Sequence, residues 1–317
     1  MKITNTRRAA RIPVIFAVCL GVIIAVLPLS CSGKKQEGAL APLRIGLMPA
    51  LDSIPFVVAK QQGFLGDNVK LEIYKSPNDR DSALQSGSID GSVTDMVSLL
   101  LFRQGAFNVV SIAKTNGRYG MVTYPGSGIT GMSGLGGKQV ALSLNSIMEF
   151  ITDKFAASGG VSPNSVKKIS VPQIPSRLEL LRSRQVDAAV IPEPYITAAR
   201  ESGMVVLGVS DSAAINLGNM MVLEKAYNGK RRELRAFFDA YNKAVDYIHK
   251  TGSAAFMPGV IKEIGLPDSA LGVTLPVYDS YTILSKEEFQ GAVNWLREKA
   301  LIREQFSYDK LVKDIHD

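Results

Sequence analysis

The sequence predicts an α/β fold with two similar lobes that face each other across a cleft. One stretch occurs twice: residues 84–95 read LQSGSIDGSVTD, and residues 181–194 read LRSRQVDAAVIPEP. Upstream, residues 43–64 and residues 138–160 each follow the order of apolar strand, polar turn and helix. Ligands of open α/β sheets bind at the carboxyl ends of the strands. Two such lobes are therefore expected to enclose a ligand cleft between them.

Residues 1–30 are predicted to be a lipoprotein signal peptide. A basic start precedes the apolar run Val14–Leu29, which is 16 residues long and too short for a comfortable membrane span. The small Ser30 before Cys31 resembles a bacterial lipobox, in which Cys31 becomes the lipidated first residue. Pro28 lies three positions before the cysteine, where a lipobox usually has leucine or another aliphatic residue. An uncleaved N-terminal anchor is the alternative, and either version holds the protein at the extracytoplasmic face of a bacterial membrane.

The charge of the chain is largely a feature of this signal. The 317 residues carry a formal charge of +7, but the first 30 hold four basic and no acidic residues, so +3 remains on the following 287 residues. Nucleic-acid binding is therefore not predicted. Cys19 lies in the signal and Cys31 at the predicted anchor, so no disulfide is expected. Residues 31–42 are polar without periodicity and are predicted to be a flexible tether.

The first lobe is predicted to comprise residues 43–125 and 218–317. After its first strand, Leu43–Met48, Asp52 or Ser53 can cap a helix that has a proline in its first turn. The elements expected next are strand Val69–Tyr74, helix Asp79–Ser86, strand Asp90–Thr94, helix Met96–Phe102 and strand Val109–Ala113.

The second lobe is predicted to comprise residues 126–217. The glycine-rich passage 125–137 is predicted to be the first crossing between lobes. It is not predicted to be a phosphate loop, because no GKS or GKT follows it. The predicted strands are Gln139–Ser143, Lys168–Val171, Ala188–Ile191 and Val205–Gly208, and the helices are Ile147–Ala157, Arg177–Ser183 and Tyr195–Ser202. The chain is expected to return to the first lobe around Asn219–Leu223.

The C-terminal third is predicted to be helical and to pack behind the first lobe. Ser285 and Glu288 form a capping box at the start of one helix. Another helix carries apolar residues at helical spacing, namely Leu234, Phe237, Phe238, Tyr241, Val245 and Ile248. We interpret this stripe as core and not as a cofactor site.

Few residues of the sequence are suited to catalysis. His249 and His316 each lack a partner at ligand spacing, no GxSxG motif occurs, and no His, Asp or Glu cluster has metal-binding spacing. The sequence therefore predicts no enzyme, no cofactor and no metal site.

Polar residues follow the strands in both halves, and we predict that they converge on the cleft. The candidate ligand-binding residues are Met48, Asp52, Ser53, Thr94, Asp95, Asn145, Ser146 and Glu193. Asp52, Asp95 and Asn145 also stand at helix starts, where they could be N-caps without any ligand. Asp90 and Asp187 lie in turns at the opposite ends of their strands and are predicted to be structural.

Several of these motifs together resemble one family of binding proteins. The stretches GLMPALDSIPFVVAKQQGFL, DRDSALQSGSIDGSVTDMVSLL, GLGGKQVALSLNS and QVDAAVIPEPY are similar to substrate-binding proteins of the nitrate, sulfonate, taurine and thiamine-pyrimidine importers. The resemblance covers nearly all of residues 43–223. It implies a type II periplasmic-binding-protein fold with two crossings between the lobes. It also implies a monomer that delivers a small solute to an ABC permease and its ATPase.

The residues favour a ligand that donates hydrogen bonds. Asp52, Asp95 and Glu193 accept hydrogen bonds from amino groups and repel anions. By resemblance, Glu193 matches the group's acidic contact to an aminopyrimidine. Arg118 and Arg177 are the candidate cations. We therefore expect an amine-bearing heterocycle such as a thiamine pyrimidine precursor. A sulfonate, nitrate or taurine binder of the same fold, or a ligand-sensing surface lipoprotein without transport, remain the alternatives.

Overall fold

The computed structural model describes residues 38–213 and 216–317. The predicted signal peptide, Cys31 and the first part of the predicted tether lie outside the described residues. The last residues before the fold are held by the first lobe: the Ala41 N–H donates to Glu233 Oε1 at 2.8 Å, and Asn68 Nδ2 donates to the Ala41 carbonyl at 2.9 Å. Within the described part of the chain, no helix has both the length and the apolar character needed to span a membrane.

Strands and helices alternate along most of the chain. The strands are β1 (Leu43–Leu47), β2 (Val69–Ile73), β3 (Gly91–Asp95), β4 (Val109–Lys114), β5 (Tyr119–Thr123), β6 (Gln139–Leu142), β7 (Lys167–Ser170), β8 (Ala188–Pro192), β9 (Val205–Val209) and β10 (Gly218–Leu223). The helices are α1 (Ile54–Gln61), α2 (Pro77–Gln85), α3 (Met96–Gln104), α4 (Ile147–Ser158), α5 (Ile174–Arg182), α6 (Tyr195–Glu201), α7 (Glu224–Gly229), α8 (Arg231–Lys250), α9 (Met257–Ile264), α10 (Lys286–Glu298) and α11 (Tyr308–Leu311).

The strands form two five-stranded sheets, one in each lobe. The order is β2-β1-β3-β10-β4 in the first lobe and β7-β6-β8-β5-β9 in the second. The first three strands of each sheet are parallel, and the fourth, β10 or β5, is antiparallel to both of its neighbours. The sheets therefore have the same architecture, as the repeated sequence order predicts.

The first crossing lies earlier in the chain than the sequence suggests. We expected it at residues 125–137, but β5 already pairs with β8 and β9 of the second sheet, so the chain crosses at residues 115–118. That prediction is wrong because strand pairing, which places β5, depends on partners 60 to 90 residues away. The glycine-rich passage instead forms turns within the second lobe, with Gly126 and Gly128 at positive φ.

The two crossings run side by side. The Thr115 N–H donates to the Gly218 carbonyl at 3.0 Å, and the Tyr119 N–H donates to Ser210 Oγ at 3.1 Å. Asn216 Nδ2 also donates to the Thr115 carbonyl at 3.0 Å, which joins the segment between β4 and β5 to the segment between β9 and β10. The lobes are thus connected by two hydrogen-bonded segments, at the edge where the parallel strands of both sheets end.

The sequence repeat is reproduced in hydrogen bonds at the amino ends of the strands. Asp90 Oδ2 accepts from the Arg44 N–H at 2.9 Å in the first lobe, and Asp187 Oδ2 accepts from the Gln139 N–H at 2.8 Å in the second. Each aspartate also joins the backbone of the same partner through its own N–H. Both contacts lie away from the cleft and fit the structural role predicted for these residues.

A buried arginine occupies the same position in each lobe. Arg80 Nη1 donates to the Val93 carbonyl at 3.2 Å, and Arg177 Nη1 donates to the Val190 carbonyl at 2.8 Å. The two arginines stand 97 residues apart, which is also the spacing of Asp90 and Asp187. Each ties its helix, α2 or α5, to the strand that follows it.

The C-terminal helices pack on the first lobe largely as predicted. The apolar stripe of α8 is buried against α1, where the rings of Phe56 and Phe237 stack at 5.3 Å and Tyr241 lies 4.8 Å from Phe56. The predicted capping box at Ser285 and Glu288 is present at the start of α10.

Helix α10 additionally reaches the second lobe, which the sequence does not reveal. Trp295 Nε1 donates to Asp153 Oδ2 at 3.0 Å, and Lys299 Nζ pairs with Glu149 and with Asp153 at 3.2 Å. Lys168 of β7 also pairs with Asp153. The two acids of α4 are almost fully buried, so their charges depend on these cations.

The two repeated aspartates provide a matched stability test. We expect Asp90→Ala to cost roughly 2 kcal/mol, because it removes a buried charge-assisted hydrogen bond and the Lys230 ion pair at 2.7 Å. We expect Asp187→Ala to cost about 1 kcal/mol or less, because this carboxylate is partly exposed and its nearest cation, Lys138, is 3.8 Å away. Urea unfolding of both variants checks the order. Equal costs would contradict the role of burial.

Candidate functional site

A small cavity between the lobes, here called the inner cavity, has a volume of about 50 Å³. The first lobe contributes residues at the carboxyl ends of β1 and β3 and on α2, and the second lobe contributes residues at the start of β5 and of α4. Its lining residues are Met48, Ala50, Asp52, Pro77, Arg80, Val93, Thr94, Asp95, Tyr119, Ser146, Ile147, Met148, Ile174 and Pro192. Both lobes therefore surround the same space.

Asp52 lies in the short turn Leu51–Ser53 and is 7% exposed. Burial raises the pKa of its carboxyl to about 6, against the opposing effect of the nearby Arg80 charge. Neither Asp52 nor Ser53 caps α1 with its side chain, so the capping alternative is wrong for this pair. Ser53 is fully buried, and its hydroxyl has no hydrogen-bond partner among the described residues.

Asp95 has two roles. It caps α3, since Oδ1 accepts from the Ser98 N–H at 2.9 Å and Oδ2 accepts from Ser98 Oγ at 3.2 Å. It also lines the inner cavity, where burial raises the pKa of its carboxyl. The groups that lower this pKa are the Ser98 N–H, the Arg80 charge and the N–H of Ile147. Because Ile147 begins α4, the Asp95 carboxylate interacts across the cleft.

Arg80 is a site residue that the sequence reasoning missed. Its Nη2 lies 2.8 Å from Asp81 Oδ1, and its Nη1 donates to the Val93 carbonyl at 3.2 Å and to Met48 Sδ at 3.5 Å. It is the one cationic side chain among the residues that line the inner cavity. Its spacing of 97 residues from Arg177 could have revealed it, since that spacing relates the two lobes.

The two arginines that the sequence suggested line neither cavity described here. Arg118 pairs with Asp211 at 2.6 Å in the crossing region. Arg177 is sealed inside the second lobe, where it donates to carbonyls that include Val171, and burial lowers its pKa to about 9. Neither is a candidate contact for a ligand in the cleft.

Tyr119 also lines the inner cavity, and the sequence reasoning did not single it out. Its side chain is buried, and burial together with the negative charges of Asp52 and Asp95 raises its pKa well above the ordinary value. The phenol therefore stays neutral beside two carboxylates. It brings a hydroxyl of the second lobe to the acidic side of the cavity.

A larger space, the outer cavity, adjoins the first and has a volume of about 370 Å³. The two share Pro77 and Ser146 among their lining residues. The outer cavity lies between α2 and α3 of the first lobe and the turn after β6 in the second. Its other lining residues are Asn78, Asp81, Gln85, Ser98, Leu101, Phe102, Gly105, Phe107, Ser143, Leu144, Asn145, Ser170 and Pro172.

The turn after β6 holds Asn145 and Ser146. Ser146, and not Asn145, caps α4, because its Oγ accepts from the Met148 N–H at 3.2 Å. Asn145 adopts a φ of 55° and donates its N–H to Glu149 Oε2 at 2.8 Å. Glu149 thus fixes this turn and at the same time pairs with Lys299 at the end of α10.

Glu193 is bound within its own lobe. Its Oε2 accepts from the Thr197 N–H at 3.0 Å and its Oε1 accepts from Thr197 Oγ1 at 3.1 Å. It lines neither cavity, although the preceding Pro192 lines the inner one. Of the predicted site residues, the inner cavity brings together Met48, Asp52, Thr94, Asp95 and Ser146, the outer cavity adds Asn145, and Ser53 and Glu193 line neither. Ligand binding by the set stays a prediction.

The chain matches one described protein family and resembles several known binding proteins. The family described as "NMT1/THI5 like" matches residues 50–255. A Brachyspira hyodysenteriae protein assigned as an ABC transporter periplasmic binding protein is 24% identical over 250 residues, which cover 71% of each chain.

Two solved structures have the same fold at low sequence identity. The alkanesulfonate-binding protein SsuA from Xanthomonas axonopodis pv. citri, bound to MOPS, superposes with a TM-score of 0.76 at 20% identity, covering 87% of this chain and 100% of that one. The periplasmic nitrate-binding protein NrtA from Synechocystis PCC 6803 gives a TM-score of 0.73 at 12% identity, covering 86% of each chain. The predicted two-lobed periplasmic-binding-protein fold is confirmed.

The raised pKa of Asp52 predicts a pH-dependent stability. Its ordinary value is 3.8 and its folded value is about 6. The folded state therefore favours the protonated carboxyl, and this contribution is complete below the ordinary pKa and lost as the pH rises through 6. We expect Asp52→Asn, which cannot ionise, to gain on the order of 2–3 kcal/mol relative to the wild type between about pH 4 and about pH 7.5.

Urea unfolding of wild type and Asp52→Asn at the two pH values measures this difference. Asp239→Asn, on the exposed face of α8, is the matched control and should show no such change. The two proteins differ only at position 52, so the comparison reports the effect of removing this ionisable group. A stability difference that is the same at both pH values would contradict a raised pKa of Asp52.

Proposed function

The chain belongs to the NMT1/THI5-like family, and from this premise we propose that it is the solute-binding protein of an ABC importer. It captures a small amine-bearing heterocycle, such as a thiamine pyrimidine precursor, and delivers it to a permease and its ATPase. The assignment of the Brachyspira relative as an ABC transporter periplasmic binding protein supports the transport role. The two-lobed fold with a cavity between the lobes suits capture by closure around a ligand.

The observation that carries the ligand class is the charge of the inner cavity. Two carboxylates, Asp52 and Asp95, line it with a single arginine, and that arginine already pairs with Asp81. An amino group can donate to both carboxylates, whereas a sulfonate or nitrate would bring a third negative charge into a buried space. The charge distribution therefore favours a hydrogen-bond donor.

The N-terminus of α4 argues in the same direction. Helix N-termini bind oxyanions through their free N–H groups. Here the N–H of Ile147, the first residue of α4, acts on the Asp95 carboxylate, and the N–H of Met148 is taken by Ser146. An oxyanion bound at this N-terminus would lie close to the negative charge of Asp95. This disfavours the sulfonate or nitrate alternative.

The ligand would also relieve the cost of burying the two acids. Burial raises the pKa of Asp52 to about 6 and also raises that of Asp95, so the buried position of both groups disfavours their charged forms. A bound amino group would favour their charged forms. We propose that the role is capture without catalysis. The assignment of the Brachyspira relative as a binding protein supports this role.

Amide substitutions test the ligand class. In Asp95→Asn the α3 cap is preserved but the charge is lost, so we expect the affinity for an aminopyrimidine to fall about tenfold to a hundredfold. Glu193→Gln is the matched control, because Glu193 accepts hydrogen bonds from Thr197 and lines neither cavity. The affinity of this variant for the aminopyrimidine should change less than about threefold. Isothermal calorimetry of wild type and both variants gives the comparison.

Ethanesulfonate, titrated in parallel, decides between the two ligand classes. Tight binding of the sulfonate by the wild type, unchanged or improved in Asp95→Asn, would refute the amine proposal and restore the oxyanion one. A large loss in Glu193→Gln together with an unchanged Asp95→Asn would move the acidic contact to Glu193, as the sequence resemblance implied.

We further propose that Cys31 is the lipid anchor. In Cys31→Ala no thiol is available for acylation, so the protein should lose its lipid and leave the membrane fraction or remain with an uncleaved signal. Fractionation of cells with mass measurement of the N-terminus checks this, and Ser32→Ala is the control. Membrane association of a cleaved Cys31→Ala protein would refute the anchor.

A further inference from the structure

The cleft is divided into compartments of unequal size. A cavity of about 150 Å³ is large enough to bind benzene, so the inner cavity of about 50 Å³ has room for a small substituent such as an amino or methyl group but not for a ring. The outer cavity, at about 370 Å³, falls within the range of small-molecule sites, roughly 300–1,000 Å³. Pro77 and Ser146 line both cavities, so the two spaces lie next to each other.

Charge is divided between the compartments in the same way. Asp52 and Asp95 line the inner cavity only. The one charged side chain that lines the outer cavity is Asp81, and its carboxylate is paired with Arg80 at 2.8 Å. A ligand part in the outer cavity thus meets no uncompensated charge, whereas a part in the inner cavity meets two acids.

The outer cavity offers an apolar wall and polar edges. Leu101, Phe102 and Phe107 form the wall, with the two phenylalanine rings edge to face at 5.7 Å. The amides of Asn78 and Asn145 line the same space. A planar ring can pack on the wall and hydrogen-bond to such amides through its edge.

We infer that the ligand binds in two parts: one primary amino group in the inner cavity between Asp52 and Asp95, and a neutral planar ring in the outer cavity against Leu101, Phe102 and Phe107. This inference rests on the proposed function and specifies how the site selects its ligand. The inner cavity selects a primary amino group by its small size and by its two N–H donors. The ring is chosen by its shape and its lack of charge.

Substitution on the amino nitrogen tests the inner compartment. The wild-type mature protein is titrated calorimetrically with aminopyrimidine, methylaminopyrimidine and dimethylaminopyrimidine. Methylation removes one donor and dimethylation removes both while adding volume. We expect affinity to fall about tenfold at the first step and at least about a hundredfold overall. In Asp95→Asn the whole series should become flatter, because the acceptor of the amino group has lost its charge.

A variant of the wall tests the outer compartment. Phe107→Ala should weaken all three probes by the same factor, about tenfold, because Phe107 contacts only the ring. Phe306→Ala removes a partly buried ring of similar surroundings that lines neither cavity, and it should leave every affinity unchanged. Thermal unfolding of each variant establishes that it is folded.

The outcomes separate this inference from the proposed function. If aminopyrimidine binds and the methylated probes bind equally well, or if Phe107→Ala has no effect, the division into two compartments is refuted while the proposed function stands. If aminopyrimidine does not bind the wild type, the proposed function fails, and this inference fails with it. A graded series with a uniform effect of Phe107→Ala supports the inference.

Discussion

Each sheet is completed by a strand that the chain reaches only after crossing from the other lobe. Strand β5 follows the first crossing and lies between β8 and β9, and β10 follows the second crossing and lies between β3 and β4. The second sheet can form only after the first crossing, and the first sheet can be completed only after both. The crossings in turn are hydrogen-bonded to each other, at the edge where the parallel strands end. The carboxyl ends of the two sheets must therefore face each other, and the residues after β1 and β3 meet the start of α4.

That geometry forces carboxylates into a buried space. Asp52 and Asp95 are less than 10% exposed, and burial raises the pKa of both. Arg80 and the N–H of Ile147 compensate the charge in part. The two acids share a single cation. A ligand that donates hydrogen bonds to them can therefore stabilise the site. The charges that line the inner cavity therefore favour an amine, independently of any relative.

Helix α10 and the residue that follows it connect the stability of the fold to the site. Lys299 and Trp295 bind the buried acids of α4, and Glu149 also accepts the N–H of Asn145 in the turn that lines the outer cavity. One hydrophobic cluster includes Leu100 of α3, residues of α4 and Trp295. The lobes are therefore in contact along these helices, and the shape of the outer cavity depends on a segment far from it in sequence.

Local patterns in the sequence determined the strands and helices, most of them to within a few residues, because periodicity, caps and glycine stops act over a few neighbouring residues. They also determined the two-fold repeat, the structural role of Asp90 and Asp187, and the polar turns after the strands. Only the tertiary structure decided where the chain first crosses, because the place of Tyr119–Thr123 in the second sheet depends on pairing with distant strands. It also decided that Arg80 and Tyr119 line the inner cavity while Glu193 bonds to Thr197. Whether a polar side chain meets a ligand or a neighbour depends on packing between the lobes, which no local pattern encodes.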